Sequence, residues 1–191
     1  MRITLVRHGE TNANIQGIVQ GKMDIELNET GINQAKKVGE RLKNEKFDTI
    51  YASDLKRAAK TAEEIAKFHS NSINYDVRLR ERDFGDYESK KINDINWNYL
   101  KENLMNNRPP NGETLREHIE RAQEFISSLS SKSNLVISHG GTIRILIHLL
   151  QNKKLEDFSL KVVPKNTSIY IFEKKGSKFE IVLENCIKHL S

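Results

Sequence analysis

Four short apolar runs, each stopping abruptly at polar residues and each separated from the next by helical periodicity, constrain this chain more than any other feature. Ile3-Thr4-Leu5-Val6 stops at Arg7-His8-Gly9, and Asp48-Thr49-Ile50-Tyr51-Ala52 stops at Ser53-Asp54. Ile73 to Leu79 gives way to Arg80-Glu81-Arg82-Asp83, and Asn134 to Ser138 runs into His139-Gly140-Gly141. Short continuous apolar runs read as strands buried on both faces. Between them, Ile32, Ala35, Val38, Gly39 and Leu42 have the spacing of a helix that starts near Asn28-Glu29-Thr30 and ends at about Asn44. Ala58, Ala59, Ala62, Ile65, Ala66 and Phe68 form a second helix, with Ser53-Asp54 as its expected cap and Arg57 in its first turn. Leu115, Ile119, Ala122, Phe125, Ile126 and Leu129 form a third, opened by Glu113-Thr114, and Ile143 to Leu150 a fourth. Thr167 to Phe172 and Phe179 to Leu183 flank Lys174-Lys175-Gly176-Ser177 as a β-hairpin. The expected fold class is α/β, a three-layer α/β/α arrangement with a mostly parallel central sheet and an antiparallel edge.

At 191 residues the chain is expected to form a single domain over 1–191. Periodicity weakens from Gly85 to Gly112, where Ile92, Ile95, Trp97, Tyr99, Leu100 and Leu104 hint at a short helix before Pro109-Pro110. Residues of about 86–112 read as a cover segment over the site. No repeat or low-complexity linker interrupts the chain. No apolar run is long enough to span a bilayer, and the amino-terminal run is too short for a signal-peptide core, so a cytoplasmic protein is expected. One cysteine, Cys186, excludes an intramolecular disulfide and argues against a cysteine-based metal site. The net charge of +5 favours an anionic substrate. Lysines scattered along helices and turns, rather than gathered on one face among aromatics, argue against a nucleic-acid partner.

His8, Arg57, Glu81 and His139 each stand at one of the four junctions. The carboxyl ends of parallel strands converge on one edge of an open α/β sheet, so these residues are expected to meet in one crevice. Gly9 and Gly140-Gly141 would let a ligand approach the backbone, and the second pair opens a helix whose free N–H groups suit an anion. Arg7 and Arg57 offer planar forks matched to phosphate oxygens. Phosphoryl transfer needs an in-line nucleophile, which a neutral imidazole can supply. It also needs an acid that protonates the leaving oxygen and then activates water. On the pattern alone Glu81 and Asp83 both fit the acid. Taken singly, each residue has a plainer reading: His8 as a capped or surface histidine, Arg57 as a helix-surface cation, Glu81 as a solvated neighbour of Arg80 and Arg82. His69, His118 and His189 read as solvated, and His148 as a core or interface residue of an apolar helix. Trp97 and Tyr99 either line the pocket or anchor the cover.

The run Leu5-Val6-Arg7-His8-Gly9-Glu10-Thr11, followed by Asn14, resembles the signature of the histidine phosphatase superfamily, branch 1, the phosphoglycerate mutase-like group. Leu27 to Ala35, Tyr51 to Ala58, Leu79-Arg80-Glu81, Phe84-Gly85 and Val136 to Gly141 follow in family order. Only residues of about 86–108 and 152–165 match poorly. The chain looks closest to short phosphatase members such as α-ribazole phosphatase. The resemblance implies the phosphoglycerate mutase-like fold, with His8 as the nucleophile that forms a phosphohistidine. It implies that Arg7, Arg57 and His139 bind the transferring phosphoryl group and that Glu81 donates and accepts the proton. Asn14, Gln20, Gly21 and Gly140 become substrate-binding residues, with no metal and no cofactor.

The expected reaction is hydrolysis of a small phosphate monoester, and the expected partner a small phosphorylated metabolite. The alternative is a cofactor-dependent phosphoglycerate mutase. Mutases generally carry a longer, more cationic insertion after the Glu81 position, whereas this stretch holds Asp86, Glu88, Asp94 and Glu102 beside Lys90, Lys91 and Lys101. A metal-dependent hydrolase would need further ligands, and arginines would repel the metal. A non-catalytic phosphometabolite-binding protein would generally have lost the nucleophile or acid. Ser89 stands where many members have glycine. The exposed edge of the carboxyl-terminal hairpin offers a place for a homodimer to pair.

Overall fold

A computed structural model describes residues 1–154, 157–158 and 164–191. Arg2–Arg7 form β1, Thr49–Ala52 β2, Ile73–Tyr75 β3 and Ser133–Ser138 β4, all parallel. Ile169–Lys175 (β5) pairs antiparallel with β1 and with Lys178–Cys186 (β6), giving the order β3-β2-β4-β1-β5-β6. The mostly parallel sheet with an antiparallel edge is the one expected from the sequence.

Side chains alternate across β4 and so feed two separate cores. Leu135 and Ile137 join Val38 and Leu42 of α2 (Glu29–Leu42) and Ala58, Ala62 and Ile65 of α3 (Lys56–Ala66) on one face. Val136 joins Ile119, Ala122 and Phe125 of α5 (Leu115–Ser128) and Ile143 and Leu146 of α6 (Gly140–Leu150) on the other. Each fully buried Val, Leu, Ile or Phe among these contributes about 1.5–3 kcal/mol of transfer free energy. Both helix pairs thus press on a sheet whose parallel strands end together, which puts the residues after β1, β2 and β4 side by side. Two shorter helices, α1 (Asn12–Ile15) and α4 (Asn98–Glu102), lie outside these layers. Among the described residues no helix is long and apolar enough to cross a membrane.

The structure departs from the sequence expectation at several points. β3 ends at Tyr75 because the Asp76 carboxylate accepts from Arg78 N–H at 2.9 Å and starts a 3-10 turn, Val77–Leu79. Glu81 is therefore delivered by a turn and not by a strand end. α3 begins one residue after Leu55, which makes no side-chain cap, so Ser53 does not cap the helix. Residues 85–112 hold two 3-10 turns, Gly85–Tyr87 and Ile92–Asp94, before the five-residue α4. Thr167 has φ 52°, a left-handed conformation, so β5 starts only at Ile169. His118 is buried rather than solvated. The Thr142 hydroxyl gives its proton to Arg80 O and so accepts from His118 Nε2, at 2.9 Å. The poorly matched stretch 152–165 lies partly outside the described residues.

Candidate active site

β1 delivers Arg7 and His8 to the edge of the sheet. His8 N–H donates to Ser138 O at 2.9 Å, which ties the end of β1 to the end of β4. Its ring Nδ1 lies 2.7 Å from Gly9 O. A carbonyl can only accept, so Nδ1 carries the proton and Nε2 keeps its lone pair. The ring is 2% exposed. Burial first, and then the nearby Arg57 and Arg7 cations, hold its pKa well below the ordinary 6.5, so the imidazole is neutral. Asn166 Nδ2 donates to His8 O at 3.0 Å and Thr167 N–H to Arg7 O at 3.1 Å, fixing the backbone from the other side.

Arg7 Nη1 donates to Pro164 O at 2.7 Å, while its Nε is buried with no partner. Arg57, in the first turn of α3, is 1% exposed. Its Nη1 and Nη2 donate to Met23 O (2.6 Å) and Gly21 O (2.8 Å), and its Nε to His139 Nδ1 at 3.1 Å. Burial brings its pKa down to about 10 against the pull of Glu81, so it stays a cation at neutral pH. Among the described residues neither Arg7 nor Arg57 forms an ion pair. Two buried cations without carboxylate partners are costly unless an anion is to come between them.

The His139 ring centroid lies 5.2 Å from that of His8. Its Nδ1 accepts from Arg57, so Nε2 carries the proton and donates to Ser53 Oγ at 2.8 Å. Burial and the adjacent arginines keep this ring neutral too. Glu81 is held by two backbone donors: Gly141 N–H to Oε2 at 2.8 Å and Arg82 N–H to Oε1 at 2.9 Å. A Cβ on residue 141 would sit 2.4 Å from Glu81 Oε1, so only glycine lets the helix start come this close. The other candidate acid, Asp83, pairs with Lys22 Nζ at 2.5 Å.

A cleft of about 260 Å³ brings these groups together. Arg7, His8, Arg57, Glu81, Gly140 and Gly141 form its polar floor, with Gln20 and Gly21 at one side. Ile18, Val19, Phe84, Ile92 and Trp97 form an apolar wall. Two of the anticipated residues do not line it. His139 stands behind Arg57 with both ring nitrogens engaged, and Asn14 Oδ1 accepts from Thr11 N–H at 3.1 Å to close the capping box of α1. Trp97 lines the cleft and meets Phe84 and Tyr87 edge to face, whereas Tyr99 is half-exposed. Arg144 also lines the cleft and was not anticipated. Its signal in the sequence was its place one helical turn after Gly140. Ser53 was misread as a cap, since its hydroxyl serves a residue 86 positions away.

A three-layer α/β protein with a neutral, lone-pair-bearing histidine and unpaired arginines at its parallel-strand ends belongs to a class built to receive a phosphoryl group. The chain is a member of the histidine phosphatase superfamily (branch 1), whose family model matches residues 3–187. It is 35% identical over 194 residues to the Bacillus subtilis protein named uncharacterized phosphatase PhoE, covering 99% of this chain and 96% of that one. The adenosylcobalamin/α-ribazole phosphatase of Salmonella typhimurium is 34% identical over 157 residues, with 77% of this chain and 78% of that one covered. The crystal structure of phosphoserine phosphatase from Entamoeba histolytica, in complex with 3-phosphoglyceric acid, superposes with a TM-score of 0.87. That pair shares 29% identity, with 100% of this chain and 99% of that chain covered. The phosphoglycerate mutase-like fold expected from the sequence is therefore the fold found.

Proposed function

We propose that this protein hydrolyses a small-molecule phosphate monoester through a phosphohistidine on His8, without a metal. The observation that carries the reading is the buried Arg7 Nε–H, left without an acceptor in the cleft that His8 and Arg57 also line. A phosphate dianion supplies the missing acceptor and a charge to match the two arginines. His8 Nε2 attacks phosphorus, the ester P–O bond breaks, and the leaving oxygen takes a proton from Glu81. In the second step Glu81 takes a proton from water, whose oxygen attacks phosphorus as the P–N bond to His8 breaks. Arg7, Arg57 and the Gly140 N–H in the first turn of α6 stabilise the equatorial oxygens, which is the task a metal performs elsewhere. His139 serves by fixing Arg57.

Hydrolysis is favoured over mutase chemistry because residues 86–112 add Ile92 and Trp97 to the cleft wall rather than further cations. A mutase would need those cations to retain a bisphosphate. The same segment acts as the cover of a single domain, and its apolar wall suits the uncharged part of the ester. In the test, His8→Ala loses turnover of an aryl phosphate by several orders of magnitude while chelator leaves the wild-type rate unchanged. An active His8→Ala variant, or a wild-type enzyme silenced by chelator, overturns the reading.

A further inference from the structure

Arg121, on α5, uses every N–H of its guanidinium. Nη1 donates to Arg78 O and Arg80 O, both at 2.7 Å, and Nη2 to Glu81 O at 3.0 Å. Nη2 also donates to Glu113 Oε1 at 2.6 Å and Nε to Glu113 Oε2 at 3.2 Å, a bidentate pair in which both side chains are about four-fifths buried. Glu113 continues the contact along the same loop. Its Oε1 accepts from Asp83 N–H at 2.9 Å, its N–H donates to Asp83 O at 3.0 Å, and its carbonyl accepts from Arg82 Nε at 3.1 Å. The segment after the Val77–Leu79 turn is not in a strand, so its carbonyls have no sheet partner, and Arg121 supplies the donors that fix it. Glu81 is carried on this segment. Its carboxylate accepts from the Gly141 and Arg82 N–H groups at 2.8 and 2.9 Å.

We propose that Arg121, braced by Glu113, is a positioning residue that sets the reach of the Glu81 carboxyl to the leaving-group oxygen. The proposal rests on the reading of Glu81 as the proton donor. A positioned acid matters in proportion to how poor the leaving group is: an alkoxide needs the proton, whereas an activated phenolate departs without it. A misplacement of about 1 Å in such a group costs on the order of 10²-fold in rate. Losing the clamp should thus copy the leaving-group signature of losing Glu81 itself.

The experiment compares kcat and KM on an alkyl phosphate and on an aryl phosphate with an acidic phenol, for Arg121→Met, Glu113→Gln, Glu81→Gln and the double variant Glu81→Gln/Arg121→Met. Arg121→Met should lower kcat on the alkyl ester by about 10²-fold, and on the aryl ester by less than about tenfold, with KM little changed. In the Glu81→Gln background the same substitution should cost nothing further on the alkyl ester, because it acts through a group already removed. Parallel loss on both esters, or a full additional loss in the double variant, overturns the proposal and leaves Arg121 a purely structural residue. If Glu81→Gln is selective and Arg121→Met is not, the positioning idea alone falls. If Glu81→Gln itself slows both esters equally, the acid assignment falls and the proposal with it. Should Arg121→Met fail to fold by thermal melting, Arg121→Lys and Glu113→Gln carry the same comparison, since neither preserves the bidentate fork.

Discussion

The protonation pattern of two histidines decides what the cleft can do. Gly9 O fixes the proton of His8 on Nδ1, and Arg57 Nε fixes that of His139 on Nε2, so one ring is left with a free lone pair and the other is fully used. The sequence pointed to Arg7, His8 and His139 because residues at strand ends are placed by local periodicity, and to Arg57 because it opens a helix straight after a strand; Glu81 was singled out by its charge cluster although a turn, not a strand, delivers it. It did not show which nitrogen each ring spends, because the partners Gly9 O, Ser53 and Arg57 are fixed only once the strand ends meet. Asn14, expected as a substrate contact, spends its Oδ1 on a helix cap, and His118 is buried between α5 and α6. Ser53 gives this level a direct test. Ser53→Ala strands the buried Nε2–H of His139, so it should cost about 1–3 kcal/mol, read as a lower urea midpoint at unchanged m-value. An unchanged midpoint would mean that Ser53 does not hold the ring.

At the scale of elements, β1, β2, β4 and the hairpin were legible because buried strands are continuous apolar runs and the hairpin turn carries Gly176. Residues 85–112 were not, because their order comes from long-range backbone bonds. Val19 N–H donates to Lys90 O and Ser89 N–H to Val19 O, both at 2.9 Å, and Ile92 N–H to Gly17 O at 2.8 Å. This short ladder joins the loop after the signature to the cover, and Arg57 grips the same loop through Gly21 O and Met23 O. Ser89 sits inside the ladder at φ 65°, a left-handed conformation that glycine adopts without penalty. Ser89→Gly should therefore stabilise the protein by about 1 kcal/mol, seen as a raised denaturant midpoint. A clear loss of stability would show that the Ser89 hydroxyl, which donates to Glu88 O at 2.5 Å, outweighs the strain.

For the molecule as a whole, burying neutral histidines in an arginine-rich site makes stability depend on pH. His8, His118 and His139 are all held well below 6.5 by burial first and by neighbouring arginines second. Below 6.5 the unfolded chain takes up protons that the folded protein excludes, so this stability is complete above that pH and lost as pH falls. The protein should therefore be less stable at about pH 5.5 than at about pH 7.5. Chemical denaturation at the two values measures this; equal unfolding free energies would mean that the rings charge freely in the fold. The same neutrality makes His8 a nucleophile, and the most direct test of that role is chemical. Wild-type enzyme mixed with an activated aryl phosphate, quenched in base within the first turnovers and analysed as intact protein and peptides, should carry one phosphoryl group on His8. That group should be stable in base and lost in acid. A phosphoryl group found on another residue, or turnover with no labelled enzyme at any quench time, would contradict the account.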